Sequence, residues 1–129
     1  MTANATPEGT SAVDGPNTIR EAMPGVLVIT LKGPSLSEAD TSGVLAEVGP
    51  EIAQARGAVL LDMARIEYMS SAGISMLVQI REACTQAGGS LTLSGLAGPI
   101  AGVLKTTKVD RLFTIAKDRE KALAKLRKS

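Results

Sequence analysis

The sequence predicts an α/β fold, a mostly parallel sheet with an N-terminal hairpin and helices packed mainly on one side. Two observations carry this expectation. After an opening pair of strand-like runs, short apolar segments alternate with segments of helical periodicity, the pattern of strands joined by crossover helices. In the middle of the chain "GAVLLDMA" is a continuous apolar run of strand length, which suits a strand inside a sheet covered by helices. At 129 residues the chain is long enough for one such domain and too short for two of ordinary size.

The elements follow in order. Residues 1–17 are poor in bulky apolar groups and rich in Pro, Gly, Ser, Thr and Asn, and are expected to form a disordered tail ahead of a domain spanning 18–129. "TIREAM" and "GVLVITLKG", joined around Pro24-Gly25, predict the hairpin. "SEADTSGVLAEVGPEIAQA" places Val44, Leu45, Val48 and Ile52 at helical spacing behind a Ser37 cap, with Gly49-Pro50 expected to break or kink the helix. After the central strand, Ile74, Leu77, Val78, Cys84 and Ala87 form the apolar stripe of a helix starting at Ser71, and Gly88-Gly89 stops it. "SLTLSG" predicts a strand, "AGPIAGVLKTT" a helix with Pro99 near its start, "RLFTI" a short strand and "KDREKALAKLRKS" a final helix.

Composition narrows the function classes. The chain is 44% apolar with one Tyr, one Phe and no Trp, so its core is built from aliphatic residues and Met, and aromatic platforms for stacking bases are nearly excluded. No direct nucleic-acid partner is expected. No apolar run approaches the roughly 18 residues that span a bilayer, and the N-terminus lacks the basic start and apolar stretch of a signal peptide, so no membrane insertion and a cytoplasmic location are expected. The lone Cys84 falls in a helical pattern and reads as a small buried hydrophobe. Net charge is +1 but unevenly spread: residues 101–129 hold nine Lys/Arg against three Asp/Glu, and residues 1–100 five against ten. A basic C-terminal segment can mark an anionic contact, yet it also suits a solvated helix face and the helix dipole.

Chemistry is sparse. Without histidine the chain cannot build a Ser-His-Asp triad, a Cys-His pair or a histidine metal site, and "GLAGPIAG" has the wrong spacing for a dinucleotide fingerprint. Asp62 ends an apolar strand with only Arg65 and Glu67 close in sequence, which favours a loop or capping role. No enzyme, cofactor or metal site is expected. What remains is "YMSSAGISML", where Ser70 and Ser71 stand between strand and helix at the carboxyl end of the central strand, the edge where open α/β sheets place their sites. One serine suffices for an N-cap. A second hydroxyl on the first turn is a place where phosphate is tolerated, because free amides and the helix dipole favour an anion by roughly 0.3–1 kcal/mol.

The segment "LLDMARIEYMSSAGISMLVQI" resembles the strand, loop and helix of the STAS domains of anti-sigma factor antagonists, in which an Asp-Ser-Ser/Thr-Gly stretch opens the helix. "REACTQAGGSLTLSGL" and "VLKTTKVDRLFTI" extend the resemblance over about residues 18–126. Aligned on Gly73, the family's phosphorylated serine falls on Ser71, with Ser70 as a competing acceptor. Ser70 stands where the family has an acid, Ala72 where it has a second hydroxyl, and "GPSL" replaces the family's Gly-x-Leu-Asp.

The resemblance implies the STAS fold and a non-enzymatic partner switch. Unphosphorylated, the protein would bind a serine kinase or anti-sigma factor of the histidine-kinase-like ATPase fold through Ser70, Ser71, Ala72, Gly73, Ser75, Met76 and Gln79. Phosphorylation of Ser71 would release it, and a metal-dependent serine phosphatase would reset it. The alternative is a non-switching STAS scaffold or accessory subunit of a signalling or transport assembly.

Overall fold

Val26–Leu31 alternates apolar side chains that must be buried on both faces, and this strand accordingly lies inside the sheet. The computed structural model describes residues 11–128 of the chain. They run β1 (Ser11–Asp14), β2 (Thr18–Met23), β3 (Val26–Leu31), β4 (Ser35–Leu36), α1 (Glu38–Ala55), β5 (Ala58–Asp62), β6 (Tyr68–Met69), α2 (Ser71–Gln86), β7 (Ser90–Ser94), α3 (Gly98–Thr106), a 3-10 turn (Val109–Leu112), β8 (Thr114–Ala116) and α4 (Arg119–Lys128). The main sheet has the order β1-β2-β3-β5-β7-β8. Its first three strands are antiparallel neighbours and the rest add in parallel. The expected mixed sheet, with its opening hairpin turning at Pro24-Gly25, is what the chain forms.

Strand alternation sorts the core. Leu27, Ile29, Leu31, Val59, Leu61, Leu91 and Leu93 pack with Val44, Val48 and Ile52 of α1, Met76, Leu77, Ile80 and Cys84 of α2, and Ile100 and Leu104 of α3. On the opposite face, α4 alone among the described residues covers the sheet, through Ala122 against Val28 and Leu60. Helices therefore lie mainly on one side. No helix among the described residues is long and apolar enough to cross a membrane.

Besides Arg111 and Leu112, which lie in the 3-10 turn rather than in the expected strand "RLFTI" while β8 runs Thr114–Ala116, three details differ from the sequence reading. Residues 11–14, assigned to a tail, form edge strand β1, paired with β2 from Ser11↔Ala22 to Asp14↔Ile19. The "GPN" assigned to the same tail is a hairpin turn, closed by Gly15 N–H donating to Thr18 O at 2.8 Å. The remainder of the expected tail, residues 1–10, lies outside the described residues. Second, α1 continues through Gly49-Pro50 as one helix, because Val48 and Ile52 are both buried on its core face while Pro50 is exposed. Packing of that stripe outweighs the single hydrogen bond the proline forfeits. Third, β4 and β6 form a separate two-stranded parallel sheet, with Ser35↔Tyr68 and Leu36↔Met69.

Two polar clusters fasten the sheet to its helices. Arg20, only 8% exposed, donates to Glu47 and Glu51 of α1 at 3.0 and 2.6 Å. Glu47 also accepts from Asn17 N and Nδ2 and from Thr18 Oγ1. On the other face Arg119 donates to Asp62 at 3.1 Å, Glu21 at 3.3 Å and the Thr30 hydroxyl, holding the start of α4 on the sheet.

Candidate functional site

Helix α2 begins where the short β4–β6 pair brings the loop before α1 against the loop before α2. Leu36 O accepts both Ser70 N–H at 3.2 Å and Ser70 Oγ–H at 3.1 Å. Ser70 is the N-cap, with extended backbone (φ −87°, ψ 179°), and its Oγ accepts Ala72 N–H at 3.2 Å. The Ser70 hydroxyl is thus committed as donor and as acceptor.

Ser71 is the first residue inside the helix and is exposed. Its hydroxyl makes no hydrogen bond among the described residues. Ser75 and Gln79 follow at four-residue intervals, both exposed, so the three polar side chains form one ridge along α2. The first turn of α2 contains no acidic residue, which leaves the partial positive charge of its free amides uncompensated.

The other residues expected at this surface divide differently. Ala72 is half-buried. Gly73 is buried, and a Cβ there would stand 2.2 Å from Met69 Cγ and 3.2 Å from Leu36 Cβ. It lets the preceding loop lie directly on the helix. Met76 is 0% exposed and belongs to the core, so it cannot touch a partner. The three-residue step from Gly73 to Met76 keeps both on the inward face; Met76 supports the exposed ridge rather than extending it.

Two features of this end of the molecule were not legible as site components. Leu36, Met69, Pro99, Ile100 and Val103 line a largely apolar groove of about 420 Å³ beside Ser70, with Tyr68, 67% exposed, standing over it. An acid also stands near. Asp40 Oδ2 accepts from Ser35 Oγ at 2.9 Å, Ser37 Oγ at 2.7 Å and Ser37 N–H at 3.0 Å, closing a capping box at the start of α1. The Ser37 hydroxyl, the Ser37 amide and the Ser35 hydroxyl hold its carboxyl below the ordinary value. The acid missing directly after "GPSL" is present one helical turn later. Asp62 takes a structural role: it accepts Ala64 N–H at 3.0 Å and pairs with Arg119.

The start of α2 thus joins an exposed hydroxyl, a polar ridge and an apolar groove, with no acid in the first turn. Residues 18–122 match the STAS domain, and the chain belongs to the STAS-domain family. It is similar to BtrV of Bordetella bronchiseptica, a candidate anti-sigma factor antagonist, with 28% identity over 100 residues covering 78% of this chain and 85% of BtrV. Its fold is similar to that of the anti-sigma factor antagonist SpoIIAA in its unphosphorylated form, with TM-score 0.69 and 16% identity over 93% of this chain and 97% of SpoIIAA. The murine Solute Carrier 26 family member A9 anion transporter contains a similar fold, with TM-score 0.68 and 16% identity, covering 94% of this chain and 22% of the transporter.

Proposed function

We infer that this STAS protein is an anti-sigma factor antagonist that works by partner switching, with Ser71 as the phosphate acceptor. The observation that carries the reading is the division of labour between the two serines. Ser70 spends its hydroxyl on the cap and on Leu36 O, while Ser71 presents a free hydroxyl to solvent. A serine and an aspartate serve comparably as N-caps, so Ser70 supplies the capping function of the family's acid at that position. The similarity to BtrV supports the same reading.

In the unphosphorylated state Ser71, Ser75 and Gln79 dock on a serine kinase or anti-sigma factor of the histidine-kinase-like ATPase fold, which frees that protein's other target. Phosphate on Ser71 adds about −1.5 to −2 charge to the contact and weakens it, and a metal-dependent serine phosphatase restores binding. The isolated domain tolerates the modification because the phosphate meets free amides of the first turn.

The test is incubation with a serine kinase of the histidine-kinase-like ATPase fold from the same organism and ATP, followed by phosphosite mapping of wild type, Ser70→Ala and Ser71→Ala. Phosphate on Ser71 that persists in Ser70→Ala and disappears in Ser71→Ala is the expected result. Mapping to Ser70 displaces the acceptor by one residue and overturns the assignment. No phosphate between residues 70 and 75 leaves the non-switching scaffold reading in its place.

A further inference from the structure

Among the described residues, β8 forms an edge of the main sheet and pairs only with β7. Sheet edges are commonly blunted by short strands and lysines, and β8 is short. This edge is nevertheless not apolar-free. Ile115, at its centre, is 40% exposed, although its register partners Leu93, Leu61 and Ile29 are fully buried. Between α3 and β8 the surface opens into a groove of about 340 Å³ lined by Leu96, Ala101, Ile115, Ala116, Lys105 and Lys117, with Asp110 as its one acid.

Charge marks what fits there. Lys105, Lys108, Arg111 and Lys117 are all exposed, and none makes an ion pair among the described residues. Asp110 is the one acid between residues 101 and 117. By contrast Arg20, Lys32 and Arg119 elsewhere on the sheet are each paired with carboxylates. The basic C-terminal segment is therefore not a uniformly solvated face. Among the described residues, Lys105 and Lys117 line the groove beside the β8 edge, and Lys108 and Arg111, likewise without an ion pair, belong to the segment that joins α3 to β8.

We propose that β8 is a docking edge for an extended acidic segment of a partner protein, which adds as a strand and seats an apolar side chain in the groove between α3 and β8. Main-chain hydrogen bonds to an unpaired edge supply affinity without sequence preference, and a side-chain pocket beside the edge supplies selectivity. Unpaired lysines and an arginine favour carboxylates there and raise the encounter rate. Nucleic acid is the poorer match, because the groove offers Ile115, Leu96 and Ala101 where bases require stacking rings or hydrogen-bonding side chains. The site is separate from Ser71 and stands or falls independently of the phosphoswitch.

The test is an NMR titration of the full chain with a blocked acidic nonapeptide, acetyl-Asp-Glu-Val-Glu-Leu-Glu-Val-Asp-Glu-amide. Two further peptides carry Ser at the apolar positions or Gln at the acidic ones. Amide shifts at Thr114–Ala116, Leu96 and Ala101 are expected with the first peptide, weakened by added salt. The Lys105→Glu/Lys117→Glu double variant, with an unchanged melting temperature, should bind about tenfold more weakly, since each reversal replaces a surface attraction by a repulsion. Ile115→Ser should weaken binding while leaving its salt dependence intact. Absence of shifts at those amides with about 1 mM peptide overturns the proposal. Equal binding of the Ser-substituted peptide reduces the site to charge alone and overturns the groove. Tighter competition by duplex DNA or phosphatidylglycerol vesicles at the same amides overturns the assignment to a protein segment.

Discussion

Removing either hydroxyl at the start of α2 deletes the same atom from the sequence and very different interactions from the structure. Ser70→Ala takes away the acceptor for Ala72 N–H at 3.2 Å and one of two donors to Leu36 O. A lost N-cap typically costs about 1 kcal/mol, within a range of roughly 0.5–2. Leu36 O keeps the Ser70 N–H, so no buried acceptor is orphaned and the second loss adds little. The total is about 1–2 kcal/mol, which for a domain of this size lowers the melting temperature by roughly 3–6 °C per kcal/mol. Ser71→Ala removes no hydrogen bond, and alanine is the better helix former by a few tenths of a kcal/mol, so stability should hold within about 0.5 kcal/mol. Ser70→Asp should return the melting temperature close to wild type, since aspartate caps as well as serine. Thermal and urea unfolding of the three variants check this ordering. A larger loss from Ser71→Ala than from Ser70→Ala would refute the assignment of cap and free hydroxyl.

Glu47 sets an acid limb for stability. Burial pushes its carboxyl upward, but hydrogen bonds from Thr18 and Asn17 and the charge of Arg20 outweigh it and leave the group below its ordinary value of 4.5. A carboxyl depressed on folding contributes stability above its unfolded value and loses it as pH falls through the folded one. Glu47→Gln should therefore lower stability at neutral pH and flatten the decline below about pH 4.5, measured by urea midpoints across pH. Arg119→Met should cost about 1–2 kcal/mol by releasing Asp62, Glu21 and Thr30, discounted because the guanidinium is partly exposed, with lost protection of α4 amides in hydrogen exchange as the readout. Cys84 is buried and its thiol is pushed up to about 11 by desolvation, so a thiol reagent at pH 8 should label it only at the rate of unfolding.

The parts of the fold that sequence conveyed are those whose local and long-range demands agree. Leu27, Ile29 and Leu31 on one face and Val28 on the other want a strand buried on both sides, and Ile74, Leu77 and Cys84 want one helix face; the structure supplies both. Misreadings fall where tertiary context decides. Strand β1 has only four residues of weak propensity and exists through its ladder to β2. Strands β4 and β6 have two residues each, too short for any period to register. Asp62 and its partner Arg119 are separated by 57 positions, so no spacing rule joins them. At the site, the paired serines and their glycine were visible as an excess over capping needs. The inward turn of Met76 was not distinguished, because it neighbours Ser75 in sequence but sits about 100° away around the helix.

Under the proposed switch, that inward turn lets a charge change at Ser71 alter binding without altering the fold. Gly73 and Met76 anchor the inner face of α2, and Ser70 anchors its start to Leu36, all without using the Ser71 side chain. A phosphate there meets amides with no competing acid in the first turn, so the free protein is indifferent or slightly stabilised. A partner that buries the same position must strip water from the phosphate and replace it, and each 1.4 kcal/mol it fails to replace lowers affinity about tenfold. Calorimetric titration of the kinase with unmodified and phosphorylated protein should show at least a hundredfold difference, about 2.8 kcal/mol, with melting temperatures unchanged. Equal affinities refute the switch, whereas a fall in melting temperature on phosphorylation would mean that Ser71 is part of the fold's own support.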